Sequence, residues 1–293
     1  MASGGAVTRR TFVVTGAAAL LSARAPRGAR SVTAREVVGR IQAHVGVPWR
    51  EKTVDGFKAG DPDTAVTGIA TTVMATLDVL HQAAAAGRNL IVTHEPTFQG
   101  GADDAGPRGS DPVYLAKQAY INEHRLVIWR FAHHWLARRP AEFTRALGTA
   151  LGWAAGRDPA NERLYTVPAT TVAGVAAHIR THLQIRGGIR LVGRADAPVR
   201  RIVLSPGTTD LASTVANLRD ADLLVSGEPR EWEVVEYVAD TAAAGTPRAL
   251  IAIGRVVSEE PGMRACATWL RTVVAGVPVQ AIATGDPYWR PAV

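Results

Sequence analysis

His94 and Glu95 stand side by side in Leu90-Ile91-Val92-Thr93-His94-Glu95-Pro96, directly after an apolar run. An imidazole nitrogen next to a carboxylate oxygen suits zinc, iron or manganese. Neighbouring side chains on an extended segment point apart, but at a turn both can reach one ion. The competing reading is a polar turn in which Glu95 caps the next helix. His133 and His134 follow a second apolar run, between Phe131 and Trp135. They could add ligands on the same sheet edge; equally, one could be buried and hydrogen-bonded while the other faces water. Glu259 and Glu260 lie in Gly254 to Glu260, just ahead of Pro261-Gly262. Either could ligate a metal or favour a helix N-terminus through its dipole. Glu228 is a candidate general base. Arg255 and Arg230 could hold an anionic or polar substrate, Arg230 within the charged turn Arg230-Glu231-Trp232-Glu233. No Gly-x-Gly-x-x-Gly follows a strand, and no Walker loop, Gly-x-Ser-x-Gly elbow or His-Glu-x-x-His occurs. Nucleotide binding and serine hydrolase chemistry therefore lack a motif.

These groups sit in a chain that repeats itself. Leu223-Leu224-Val225-Ser226-Gly227-Glu228-Pro229 echoes the segment that carries His94. Each copy reads as a buried strand running into a polar turn, and open α/β sheets place their ligands at the carboxyl ends of strands. The spacing predicts helices over 32–45, 76–86, 112–124, 140–151, 171–183, 213–218, 232–244 and 262–274. Strands are predicted over 66–70, 89–92, 126–129, 189–193, 202–204, 221–225, 249–253 and 277–282. Thr33 with Glu36 has capping-box spacing. Residues 53–62 read as a loop, Ser205-Pro206-Gly207 as a turn, and 156–168 as the connection between halves. Strands alternating with helices make the class α/β. Two similar lobes are expected, 33–155 and 165–293, each a mixed, mostly parallel sheet flanked by helices, with the site in the cleft between them.

Thr8-Arg9-Arg10-Thr11-Phe12-Val13 precedes a mild apolar stretch, and Ala23-Arg24-Ala25 offers small residues for cleavage. Residues 1–25 therefore read as a twin-arginine signal, and export to the periplasm or beyond is expected. The stretch is too short to span a bilayer of about 30 Å, so no membrane span is expected in the mature form. The net charge of +7 is spread along the chain without a polybasic block, which argues against nucleic-acid binding. One cysteine, Cys266, makes neither an intrachain disulfide nor a thiolate cluster.

Four segments together give the chain a family resemblance: Asn89 to Pro96, Trp129 to Trp135, Ser226 to Trp232, and Gly254 to Met263. The chain resembles the Ngg-interacting-factor-three-like family, also called GTP cyclohydrolase 1 type 2 homologs, and within it an exported branch. The resemblance implies two α/β lobes, a homo-hexamer and a pair of metal ions in the cleft. Such proteins carry His-His-Pro after the first strong strand, a His-x-x-x-Asp turn and a late Gly-His-x-x-x-Glu. His94 matches the first His, Glu95 stands at the second, and Glu259 matches the final Glu. Arg255 takes the late His position, and Ala132 and Leu136 fall at the two ligand positions of the turn. The resemblance thus implies one or two divalent ions and a metal-dependent hydrolase with part of its site lost. The alternative is a non-catalytic oligomer that binds a small-molecule ligand without the metal pair.

Overall fold

The computed structural model describes residues 1–2, 31–101, 103, 109–289 and 291. The expected signal lies outside the described residues. Among them no helix is long and apolar enough to cross a membrane. Residues 32–293 cluster as one unit that holds two five-stranded sheets.

Helix α1 (Ala34–His44) begins in the expected capping box: Glu36 N donates to Thr33 Oγ1 at 3.2 Å and Thr33 N to Glu36 Oε2 at 2.9 Å. The first sheet contains β1 (Gly56–Ala59), β2 (Ile69–Thr72), β3 (Leu90–Thr93) and β4 (Val127–Arg130). Helices α2 (Leu77–Ala85) and α3 (Pro112–Glu123) connect the parallel strands, and α4 (His133–Ala137) and α5 (Glu142–Ala150) follow. In the second sheet, β5 (Leu164–Thr171), α6 (Val172–His182), β6 (Arg190–Val192) and β7 (Pro198–Thr209) come first. They are followed by α7 (Leu211–Leu218), β8 (Leu223–Pro229), α8 (Glu236–Ala243), β9 (Ala249–Ala252), α9 (Arg255–Val273) and β10 (Val279–Ala281).

The sheet orders are β1-β4-β3-β2-β10 and β5-β7-β8-β9-β6. The first has four adjacent parallel strands, β4-β3-β2-β10, with β1 antiparallel at one edge; the second has three, β7-β8-β9, between antiparallel edge strands β5 and β6. Strands β2, β3, β4 and β9 are buried along their length, as strands covered on both faces must be. This is the mixed α/β architecture expected, with helices flanking two related sheets.

Four local expectations are corrected. Residues 56–59 pair with β4 although Asp55-Gly56 and Gly60-Asp61-Pro62 look like turns; pairing at a sheet edge overrides turn chemistry. Part of the supposed connection is β5, which pairs with β7. The final strand, read as continuing the second half, is β10, which returns to the first sheet beside β2. Helix α9 starts at Arg255, not Gly262, and carries Pro261 inside it. Proline removes one helical hydrogen bond, yet α9 puts Val256 and Met263 into the core of the first sheet and Val257 into that of the second. Burial on two sides carries the helix through the proline.

Candidate metal centre

β3 ends by delivering His94 and Glu95, and their backbone is held there. His94 N donates to Thr72 O at 3.2 Å and Glu95 N to Val73 O at 2.8 Å, continuing the β2–β3 pairing past the strand. Arg130 Nε donates to the His94 carbonyl at 3.3 Å, and the Phe143 ring packs 4.6 Å from the imidazole. His94 is buried and Glu95 nearly so.

Glu259 arrives from α9, one turn into the helix. Its approach depends on a bulge in β7. Ser205 pairs with Ser226 and Thr208 with Glu228, so Pro206 and Gly207 together face Gly227. Bulges commonly re-aim a strand beside functional sites, and here the bulge makes room. A Cβ on Gly207, at φ +74°, would meet Glu259 Oε1 at 2.3 Å. A Cβ on Gly227 would meet Ser258 Oγ at 2.3 Å. Ser258 Oγ accepts from Gly207 N at 3.0 Å and donates to Arg255 O at 2.6 Å, pinning the bulge to the helix start.

His94 Nε2 lies 3.6 Å from Glu95 Oε1 and 3.6 Å from Glu259 Oε1. One ligand atom from each residue falls within 4.8 Å of the others. Glu259 Oε2 is buried without a hydrogen-bond partner among the described residues. Burial holds the His94 pKa down to about 4, against the pull of Glu95, so the ring is neutral and its lone pair is free. Burial, then the Glu95 charge, pushes Glu259 up to about 8. This buried His/Glu/Glu group could hold a metal ion.

Arg255 enters the same group. Its Nη2 donates to Glu95 Oε1 at 2.5 Å and its Nη1 to Glu228 Oε2 at 3.0 Å and Thr208 Oγ1 at 2.7 Å. Its Nε lies 3.6 Å from Glu259 Oε2. Burial alone would lower its pKa, but Glu259 and Glu95 outweigh burial and raise it. Two cavities, of about 340 and 520 Å³, flank Arg255 and Glu228.

Other expected site residues lie elsewhere. His133 and His134 do not join His94. They open α4, whose first N–H groups and one ring are taken by Asp55, 77 to 79 residues earlier. Asp55 Oδ1 accepts from Ala132 N at 2.7 Å and His133 N at 2.9 Å, and Oδ2 from His134 N at 2.9 Å. His134 Nδ1 sits 2.6 Å from Asp55 Oδ2, and Arg50 N donates to its Nε2 at 2.9 Å, so no lone pair is left for a metal. His133 Nδ1 faces Thr53 Oγ1 at 3.3 Å. Ala132 is buried and its methyl side chain offers no metal ligand, and Leu136 is exposed. Arg230 turns to Glu233 at 2.8 Å and lines neither cavity beside Arg255. Glu260 accepts from Gly285 N at 2.9 Å instead of facing His94. Residue types alone single out neither Asp55 nor the Pro206–Gly207 bulge. Asp55-Gly56 has the composition of a turn, and Ser205-Pro206-Gly207 reads as a turn, although all three of its residues lie within β7.

Residues 32–287 match the family described as Duf34/NIF3 (NGG1p interacting factor 3). The chain belongs to that family. Solved structures share the Duf34/NIF3 fold. A hypothetical protein of Staphylococcus aureus is 20% identical with a TM-score of 0.68, over 88% of this chain and 99% of that one. A Bacillus cereus protein related to NIF3 is 14% identical with a TM-score of 0.65, over 90% and 100%. Reduced HcgD from Methanocaldococcus jannaschii is 14% identical with a TM-score of 0.59, over 85% and 97%. No curated protein matches the chain.

Proposed function

We propose that this Duf34/NIF3 protein holds one divalent transition-metal ion, zinc, iron or manganese, at His94, Glu95 and Glu259, and hydrolyses a small ligand in the cleft between its lobes. The observation that carries the reading is the buried convergence of His94 Nε2 with two carboxylate oxygens, each 3.6 Å away. Charge supports it. The carboxylates of Glu95, Glu228 and Glu259 surround one guanidinium, which leaves two negative charges for a single divalent ion to balance. Without an ion, Glu259 keeps its proton up to about pH 8; binding would displace it. A second ion finds no further ligands at the family positions, because the Ala132 and Leu136 side chains offer none.

A bound divalent ion would supply a water acidified towards neutral pH. Glu228, exposed and facing both cavities, is the base that accepts a proton. Arg255 orients Glu228 and balances negative charge on the ligand. In this reading the protein is a homo-hexamer exported by the twin-arginine route.

One observation favours a second reading. Arg255 Nη2 sits on the same Glu95 oxygen that an ion would use. A chain closed in this way would be a non-catalytic ligand-binding relative. Elemental analysis of purified wild type beside His94→Ala separates the two. About one ion per chain, lost in the variant, supports the proposal. Metal absent from both sinks it, and anion binding lost in Arg255→Ala would then establish the second reading.

A further inference from the structure

The opposite ends of the parallel strands hold a second pair of cavities, one on each sheet, and the two differ in charge. In the first sheet a cavity of about 520 Å³ opens where β2, β3 and β4 begin. Arg88, His124 and Arg125 line it, and no carboxylate of the described residues does. Arg88 Nε is buried without a hydrogen-bond partner among the described residues. The Arg88 chain lies across Gly68, where a Cβ would come within 2.5 Å of its Cδ. In the second sheet the matching cavity, about 560 Å³, opens where β7, β8 and β9 begin. Its Arg194 and Arg248 share it with Asp196 and Asp222, and Arg194 Nη2 pairs with Asp196 Oδ2 at 2.7 Å.

The difference turns on one pair of equivalent positions. Just before β8, Asp222 Oδ2 accepts from Arg200 N at 2.8 Å and Arg201 N at 2.9 Å, fastening the start of β7. Just before β3, Asn89 does the same for the approach to β2: Oδ1 accepts from Thr67 N at 2.8 Å and Nδ2 donates to Ala65 O at 2.8 Å. The structural task is alike, but the amide brings no negative charge. Arg88 and its neighbours are left without a carboxylate in the cavity.

We propose that this cavity binds a phosphate group, as inorganic phosphate or a phosphomonoester. Two guanidinium groups and an imidazole with no acid between them favour a dianion over a monocarboxylate, and the planar guanidinium matches phosphate geometry. The cavity exceeds the size of a bare phosphate and lies in the range of small-molecule sites.

The test is calorimetric titration of the full chain at low ionic strength with inorganic phosphate and with glycerol phosphate. Saturable binding is expected in wild type and unchanged in His94→Ala, so it does not depend on the candidate metal centre. Arg88→Ala and Arg125→Gln should each weaken it about tenfold or more, as loss of a charge-assisted hydrogen bond implies. Asn89→Asp, which keeps the acceptor for Thr67 N but adds a carboxylate, should abolish it. Tighter binding of the ester identifies a phosphomonoester site; equal binding identifies inorganic phosphate. No saturable binding, binding indifferent to all three substitutions, or binding lost in His94→Ala overturns the proposal. Arg125 is exposed, so its variant remains informative if Asn89→Asp fails to fold.

Discussion

His94 and His134 invite comparison. Both are buried, both follow a strand of the first sheet, and both lie within 4 Å of a carboxylate. They differ in what is already spent. His134 uses both ring nitrogens, on Asp55 and Arg50 N, and its ring stacks on Trp49 at 3.7 Å. His94 Nε2 stands 3.6 Å from two carboxylate oxygens, beyond hydrogen-bond length, in company with a buried carboxylate oxygen that has no hydrogen-bond partner among the described residues. The first arrangement is closed and holds the fold; the second is open and can accept an ion. What separates a structural histidine from a chemical one here is the number of lone pairs left over, not burial or the nearness of an acid.

The comparison breaks most sharply at Asp55. Asp55→Ala removes the acceptor for three N–H groups of α4 and for the His134 ring, all poorly exposed. Removing one partner of such a buried pair typically costs about 3–5 kcal/mol. Urea unfolding should show that loss, while metal content per folded chain stays at the wild-type value. A metal content that fell along with stability would mean that the His134 region belongs to the site after all.

That division could not be read from residue types. His133-His134 after a strand looked as promising as His94-Glu95, because the deciding partner, Asp55, lies far away in sequence beside a strand disguised as a turn. Strands β3, β4, β8 and β9 were legible, since continuous apolar runs bounded by polar turns admit few other readings. The convergence of Glu259 with His94 was legible only through the repeat and the family resemblance. Composition gave no hint of the β7 bulge that admits Glu259. Residue pattern alone starts α9 at Gly262, because Pro261-Gly262 is a local stop signal that tertiary burial overrules.

The open side of the comparison is sharpened by pH. The folded pKa of Glu259, about 8, lies above its ordinary value of 4.5. The folded protein therefore keeps a proton that the unfolded chain releases. Its contribution to stability is full below about pH 4.5 and is lost as pH rises through about 8. In metal-chelating buffer, the melting temperature of wild type should fall between pH 5.5 and 8.5, and Glu259→Gln, which cannot ionise, should lose most of that slope. An unchanged slope in the variant would mean that Glu259 is not the titrating group.

The smallest expected effect concerns two arginines that the sequence presents as equals. Arg255 is mostly covered and touches Glu95, Glu228 and Thr208. Arg230 is about half exposed and, among the described residues, pairs only with Glu233, three residues on. An exposed pair of this kind is worth about 0–1 kcal/mol, because water and salt screen it and two long side chains must be ordered to form it. Arg230→Ala should therefore shift the urea midpoint little and leave both metal content and anion binding as in wild type. The contrast follows from α9: Arg255 stands on its first turn, pressed into the bulge of β7, whereas Arg230 leaves β8 on a turn that faces solvent. A clear loss of ligand binding in Arg230→Ala would place that turn over the site and would require the charged segment from 230 to 233 to close onto Glu228.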